Sequence, residues 1–418
     1  MTKRLILAFV FLSWHLVACS NGDSGISSGL PDKPSAEEDS PGTETISEEM
    51  RVKITGEDLY ISAKLDAKTD ILYWFKKCMF NELFTFYRVG TIDNNMPAPA
   101  TLPDASPTSL LNLAYSDNIG PFNITGYGWC GGNHPYLDEV TQTARNIGYR
   151  IYIDGKEIKT DLSTLTKEIK IEVINEIMNP SKADTSSGKT LLNEILCIET
   201  VNYSIYRNNI QVLVTHEFQN ESPVIVQMYY GMQSMFDKET HTLTANGKYV
   251  DWTVQKDVST FTKKEYPSFR RFIEKSANVY QSSYLFADGL GNHEEISDDD
   301  IIFIGNSSNK TYHKIIADRE HKKGDIIHWS GVYTWFKSPV SDDDDLLCYE
   351  GVIDNKKVLF IDCKKNVDRT IQLPVDYTKK SFTIIEKSKS ITITGNKVTA
   401  KGLRIVSDGS GSCVITFD

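Results

Sequence analysis

At 418 residues the chain exceeds one typical domain, and 40% hydrophobic with 24% charged residues is the composition of a folded protein, which excludes a wholly disordered or fibrous chain. The formal net charge of −11 repels phosphate backbones and leaves no basic footprint, so nucleic acid is not an expected partner. The sequence contains no phosphate loop, Gly-x-Ser-x-Gly elbow or His-Glu-x-x-His, which argues against nucleotide binding and zincin proteolysis.

Lys3 and Arg4 precede an apolar stretch, Leu5 to Ala18, that ends in Leu16-Val17-Ala18-Cys19. This segment resembles the bacterial lipobox, in which small residues fit a signal peptidase and the cysteine thiol takes diacylglycerol. The resemblance implies that residues 1–18 are a signal peptide and that Cys19 is acylated and holds the chain on a lipid bilayer; a plain secretory signal is the alternative. Residues 19–50 are rich in Ser, Gly, Pro, Glu and Asp and too poor in apolar side chains to fold, so a disordered acidic tether is predicted there. No later apolar run reaches the roughly 18 residues that cross a bilayer. Ser20, rather than an acidic residue, follows Cys19, which in lipoprotein families implies outer-membrane sorting in a Gram-negative cell. The whole resembles the surface lipoproteins of gut Bacteroidetes, and the expected location is extracytoplasmic, at the outer membrane or cell surface.

Beyond residue 50 the dominant signal is period-two alternation, and no sustained helical periodicity competes with it. Ile169, Ile171 and Val173 alternate with Lys170 and Glu172; Ile210, Val212, Val214, His216 and Phe218 share one strand face; Ile391 and Ile393 alternate with Thr392 and Thr394. Asp154-Gly155, Asn246-Gly247 and Gly395-Asn396 supply turn chemistry. The predicted fold is all-β: a large antiparallel β-sandwich, supersandwich-like, with a small C-terminal β-module. An N-terminal β region is expected over 51–160 and a central sandwich over 161–345, as two units or packed as one, and the module over 346–418. The acidic run Asp342 to Asp345 reads as an exposed, self-repelling boundary loop.

The most unusual local sequence is Gly126-Tyr127-Gly128-Trp129-Cys130-Gly131-Gly132-Asn133-His134-Pro135-Tyr136. Four glycines permit positive φ and close backbone approach, Trp129 and Tyr136 offer ring faces, and Asn133 and His134 offer hydrogen bonds. That combination suits a sugar; the competing reading is a tight Gly-rich crossover with its rings in the core. Asn133-His134-x-Tyr136 is also similar to the Asn-His segment of galactose mutarotases, whose β-supersandwich uses a histidine at the sugar ring oxygen. The resemblance implies proton transfer by His134, with Tyr136 as partner. Tyr229, Tyr230 and Tyr333 to Phe336 could line a cleft or simply pack the sheets.

Farther along, Asp288, Asn292 and Asp298 could ligate Ca²⁺, or His293 and Glu294 could form an acid–base pair; a solvated acidic loop is the simpler reading, and no cofactor is expected. His313 and His328 are predicted to face each other across a hairpin turning at 319–324, with an ordinary pair and a metal as the two readings. His216, on an apolar face, reads as a hydrogen-bonded core histidine. Cys348 and Cys363 are placed symmetrically about a turn at Asp354 to Lys357, as a disulfide or as neighbouring thiols.

The expected function is that of a surface-tethered lipoprotein that binds or processes carbohydrate. If it is an enzyme, it is a polysaccharide lyase, glycoside hydrolase or sugar epimerase. The alternative is a non-enzymatic adhesin or assembly subunit working through an exposed strand edge or apolar patch.

Overall fold

The alternation of apolar and polar residues decides the architecture. In the strand Asn209–Phe218, Ile210, Val212, Val214, His216 and Phe218 are buried, while Leu213 and Glu217 point to solvent. The computed structural model describes residues 46–78, 80–101, 111–114, 119–132, 134–182, 193–235, 240–243, 247, 249–251, 259–262, 271–276, 278–286, 300–305 and 310–418, and Cys19 lies outside them. The described residues form five antiparallel sheets, with helix confined to short single turns.

The central sheet has ten strands, with Ile326–Phe336, Asn209–Phe218, Ile195–Tyr206, Ile169–Met178 and Ala144–Ile153 adjacent at its heart. One of its faces is covered by two further sheets. A six-stranded facing sheet, containing Lys310–His321, Val224–Met235, Ile119–Ile124 and Gly128–Cys130 in that order, covers one end. There Phe122 and Tyr229 stack on each other at 4.5 Å and each meets the His216 ring edge-on at 4.9 Å. The N-terminal six-stranded sheet, from Met50–Thr55 to Leu111–Ala114 with Leu162–Thr166 on its edge, covers the other end. Tyr73 reaches Trp335 at 5.2 Å, Phe75 reaches Tyr203 at 5.3 Å and Phe84 stacks on Tyr149 at 4.0 Å. Each such ring adds about 1.5–3 kcal/mol of burial, so one continuous core joins residues on both sides of position 160.

Leu346–Ile353, Lys356–Cys363, Gly411–Phe417 and Phe382–Lys387 form most of a five-stranded C-terminal sheet, which packs on a three-stranded one over its own core. This module docks on the other face of the central sheet, where Phe336 stacks on Tyr349 at 4.4 Å and Tyr284 meets Phe360 at 5.3 Å. Buried Asn209 joins the two: its Oδ1 accepts hydrogen bonds from Thr334 Oγ1 at 2.8 Å and from the Val352 backbone N–H at 3.1 Å. Glu44–Asp418 forms one compact unit.

Three expectations are corrected here. Asp354 and Asn355 both take positive φ, 49° and 59°, so the hairpin turns over two residues and not four. The register is therefore displaced from the symmetric one: Cys348 faces Ile361 and Cys363 faces Leu346, and the six described cysteines are buried thiols, not disulfides. His313 and His328 do not face each other, because 322–325 carries the chain from the facing sheet to the central one. His313 lies opposite Gly231 and Ile302, and exposed His328 lies opposite Thr215. The acidic run is exposed at Asp343 and Asp344, as expected, but three of its four carboxylates are paired. Asp342 accepts from Tyr280 Oη at 2.5 Å and pairs with Lys364 at 2.9 Å, Asp343 pairs with Arg369 at 2.6 Å, and Asp345 with Lys365 at 2.9 Å. Asn246 lies outside the described residues, whereas Asp154-Gly155 makes the expected hairpin with φ of 47° and 79°.

Two outcomes follow from this packing. With every described thiol buried, Ellman's reagent should find none of the six reactive in native protein and all six after unfolding in denaturant. Burial opposes the Asp343 charge, but the Arg369 guanidinium and the backbone N–H groups of Asp345 and Leu346 outweigh it and hold its pKa at about 2. That depressed pKa contributes stability above the unfolded carboxyl value near ~4 and loses it as pH falls through about 2. Asp343→Asn should thus lower the melting temperature at neutral pH, with the difference from the parent protein closing over that window.

Candidate functional site

The Gly126 to Tyr136 segment is built as a short hairpin with a rigid exit. Ile119–Ile124 pairs with Gly128–Cys130, setting Phe122 opposite Cys130, Asn123 opposite Trp129 and Ile124 opposite Gly128. Successive residues of a strand face opposite sides, so Phe122 and Cys130 enter the core and half-buried Trp129 is displayed on the outer side. Gly126, Gly128, Gly131 and Gly132 all take positive φ, from 57° to 90°, as their spacing predicts. Buried Asn81 holds the exit by donating to the Gly132 carbonyl at 2.7 Å and accepting from the Thr143 N–H at 3.1 Å, while Gly131 N–H donates to Thr143 Oγ1 at 3.2 Å.

This geometry gathers a staircase of near-parallel rings. Trp129 lies 6.1 Å from Tyr136 with an interplanar angle of 30°, and 6.0 Å from Tyr230 with an angle of 17°; His134 meets Tyr136 edge-on at 5.6 Å. All four side chains are half-buried, so each keeps part of its surface in water, and Tyr127 at the neighbouring turn is 55% exposed. Tyr230 comes from the strand Val224–Met235, whose register shifts between Tyr229 and Tyr230. Successive residues of that strand face opposite sides, so Tyr229 packs in the core and Tyr230 completes the row. Gly120 permits this approach, since a Cβ there would lie 1.7 Å from the Tyr230 carbonyl oxygen. Which of the two adjacent tyrosines turns inward depends on the strand pairing and is not legible in the residues alone.

Asn133 lies outside the described residues, as do His293, Glu294, Asp288, Asn292 and Asp298. Asp138, the carboxylate closest in sequence to His134, is spent on its own turn. It accepts from the Val140 and Thr141 N–H groups at 2.8 and 2.6 Å and from Thr141 Oγ1 at 2.8 Å, which together hold its carboxyl below the usual carboxylate range. Among the described residues no three His, Cys, Asp or Glu side chains converge as a metal ion requires.

Beneath the row lies a buried polar chain. His216 Nε2 is 2.9 Å from Glu199 Oε2, Glu199 Oε1 accepts from Asn175 Nδ2 at 2.9 Å, and Asn175 Oδ1 accepts from Asn146 Nδ2 at 2.9 Å. Both His216 and Glu199 are fully buried. His321 stacks on Phe218 at 4.3 Å; burial, then the Arg319 charge, push its pKa down to about 4, so it is neutral near pH 7. His216 is thus a core histidine, as its strand face predicts.

No protein-family model matches the chain, and no curated protein matches it in sequence. Among solved structures, it is similar to a GH36 α-galactosidase from Geobacillus stearothermophilus, at 8% identity and a TM-score of 0.40, over 69% of this chain and 41% of that one. It is similar also to a glycoside hydrolase family 97 enzyme from Pseudoalteromonas sp. strain K8, solved in complex with acarbose, at 7% identity and a TM-score of 0.34, over 70% of this chain and 37% of that one. The chain spans about two fifths of the length of these structures. Similarity at that level leaves the chemistry to be argued from the residues themselves.

The buried pair sets a stability test. His216→Ala strands the Glu199 carboxylate in the core and should cost about 3–5 kcal/mol in urea unfolding, whereas Glu199→Gln with His216→Gln, which leaves no charge, should cost less than that single change.

Proposed function

We propose that the protein is a lipid-tethered, extracytoplasmic carbohydrate-binding protein whose sugar platform is the row Tyr136, Trp129 and Tyr230. One observation carries the reading: three half-buried rings lie within 30° of parallel at each step, two from a loop whose exit is hydrogen-bonded and one from the adjoining strand Val224–Met235. A pyranose presents an apolar C–H face and a rim of hydroxyls, and stepped aromatic surfaces bury that face with little loss of side-chain entropy, because the rings are already ordered. His134, at the edge of the row, offers a hydrogen bond to the rim. The tether implied by the N-terminal sequence, ending where the strand Met50–Thr55 begins, would hold this platform clear of the bilayer.

Binding is put forward before turnover because the ordered ring row is the feature built here, while Asp138, the carboxylate closest in sequence to His134, is bound to its own turn. The test is a glycan-array screen of the Glu44–Asp418 unit, followed by titration of each glycan retained. Trp129→Ala and Tyr230→Ala should each weaken retention about tenfold or more with an unchanged melting temperature, the behaviour of residues at the centre of a contact. Equal retention by both variants would overturn the platform. Products released from a bound polysaccharide would convert the reading to an enzyme, and an array without any retained glycan would leave the adhesin.

A further inference from the structure

A second site lies where three parts of the fold meet. A cleft of about 360 Å³ opens between the turn after Asp58–Lys64, the turn joining Ile195–Tyr206 to Asn209–Phe218, the end of Ile326–Phe336 and the C-terminal module. That volume falls in the range of small-molecule sites. Its charged lining is Arg207, Lys337 and Lys357 against Asp66 and Glu350, an excess of cations in a chain of net charge −11.

The three cations are not equivalent. Lys337 is neutralised by Asp66 at 2.9 Å and held by Thr69 Oγ1 at 2.8 Å. Exposed Lys357 reaches Glu48 at the rim at 3.4 Å. Arg207 has no carboxylate within ion-pairing distance among the described residues: Nη2 donates to the Lys64 carbonyl at 3.3 Å, and Nε is buried without a hydrogen-bond partner. Its backbone is also costly. Arg207 opens a two-residue hairpin turn at φ 50°, where Gly or Asn is the unstrained choice, and Asn208 and Asn209 follow directly. A half-buried, uncompensated guanidinium on a strained turn at a cleft wall is poised to receive an anion, whose fork geometry it matches. Across the cleft, Tyr377 Oη is bound to Glu350, leaving that carboxylate further lone pairs to accept hydroxyl donors.

We infer that this cleft binds a small polyhydroxylated anion, a sugar bearing a carboxylate or phosphate, with Arg207 receiving the charge and Glu350 a hydroxyl. The site is separate from the aromatic row and does not depend on it.

Calorimetric titration of the Glu44–Asp418 unit with D-galacturonate, D-galactose 6-phosphate and D-galactose tests this. At least one of the two anions should bind about tenfold or more tighter than the neutral sugar, with affinity falling as salt rises; the preferred one distinguishes carboxylate from phosphate. Arg207→Gln should weaken it about tenfold, Lys357→Gln less, and Trp129→Ala not at all. Neither anion binding more tightly than galactose would overturn the site, as would binding unaltered in both cleft variants. Should Arg207→Gln unfold the protein, Lys357→Gln and the salt series decide: affinity indifferent to both removes the proposal. Loss of anion binding in Trp129→Ala with retention in Arg207→Gln would likewise reject the cleft while leaving the aromatic row standing.

Discussion

The pleat of the facing sheet governs both the stability of the sandwich and where its rings are displayed. Phe122, Cys130 and Tyr229 must point inward to meet His216 and Phe218, and the buried interface admits no other register. Once they do, Trp129 is committed to the outer side, and strand alternation after inward Tyr229 turns Tyr230 to the same side. The core and the aromatic row are therefore two faces of one decision. A one-residue slip would bury Trp129 and expose Phe122 together.

Several of the charged groups among the described residues are paired. Glu199 is shared between His216 and Asn175, Lys64 is buried against Asp70 at 2.9 Å, and the acidic run at 342–345 is matched by Lys364, Lys365 and Arg369. Arg207 departs from that pattern, and it does so at a cleft wall. Beside these paired charges, the departure carries information.

What the sequence made legible was local. Alternation in Asn209–Phe218 and Ile169–Met178 identified strands and their buried faces, because period two is a property of consecutive residues. The glycines of 126–132 likewise foretold positive φ, whereas whether Trp129 would be displayed or buried stayed open until the pairing of its strand was known. Pairing was less legible, because it depends on turns and on distant partners. Asp354-Asn355 closed a tighter hairpin than assumed, which moved Cys348 past Cys363; 322–325 joined two sheets instead of two neighbours, which parted His313 from His328. Tyr230 and Arg207 owe their places to chain more than sixty residues away, Trp129 in one case and the C-terminal module in the other. A hint was present for Arg207 alone, a bulky cation beside two asparagines where a turn was due.

Cys348, Ile361 and Cys413 lie side by side across three strands, with Cys363 two residues along on the same buried face. Three thiols so close share a single shield, the packed interior of the module. In the folded chain they are shielded; in an opened one an external oxidant, taking two electrons and two protons for each bond formed, could join them in pairings the native register does not allow. The fold thus serves as the protecting group of its own cysteines, and an opening long enough to admit an oxidant is written into the chain as a covalent record.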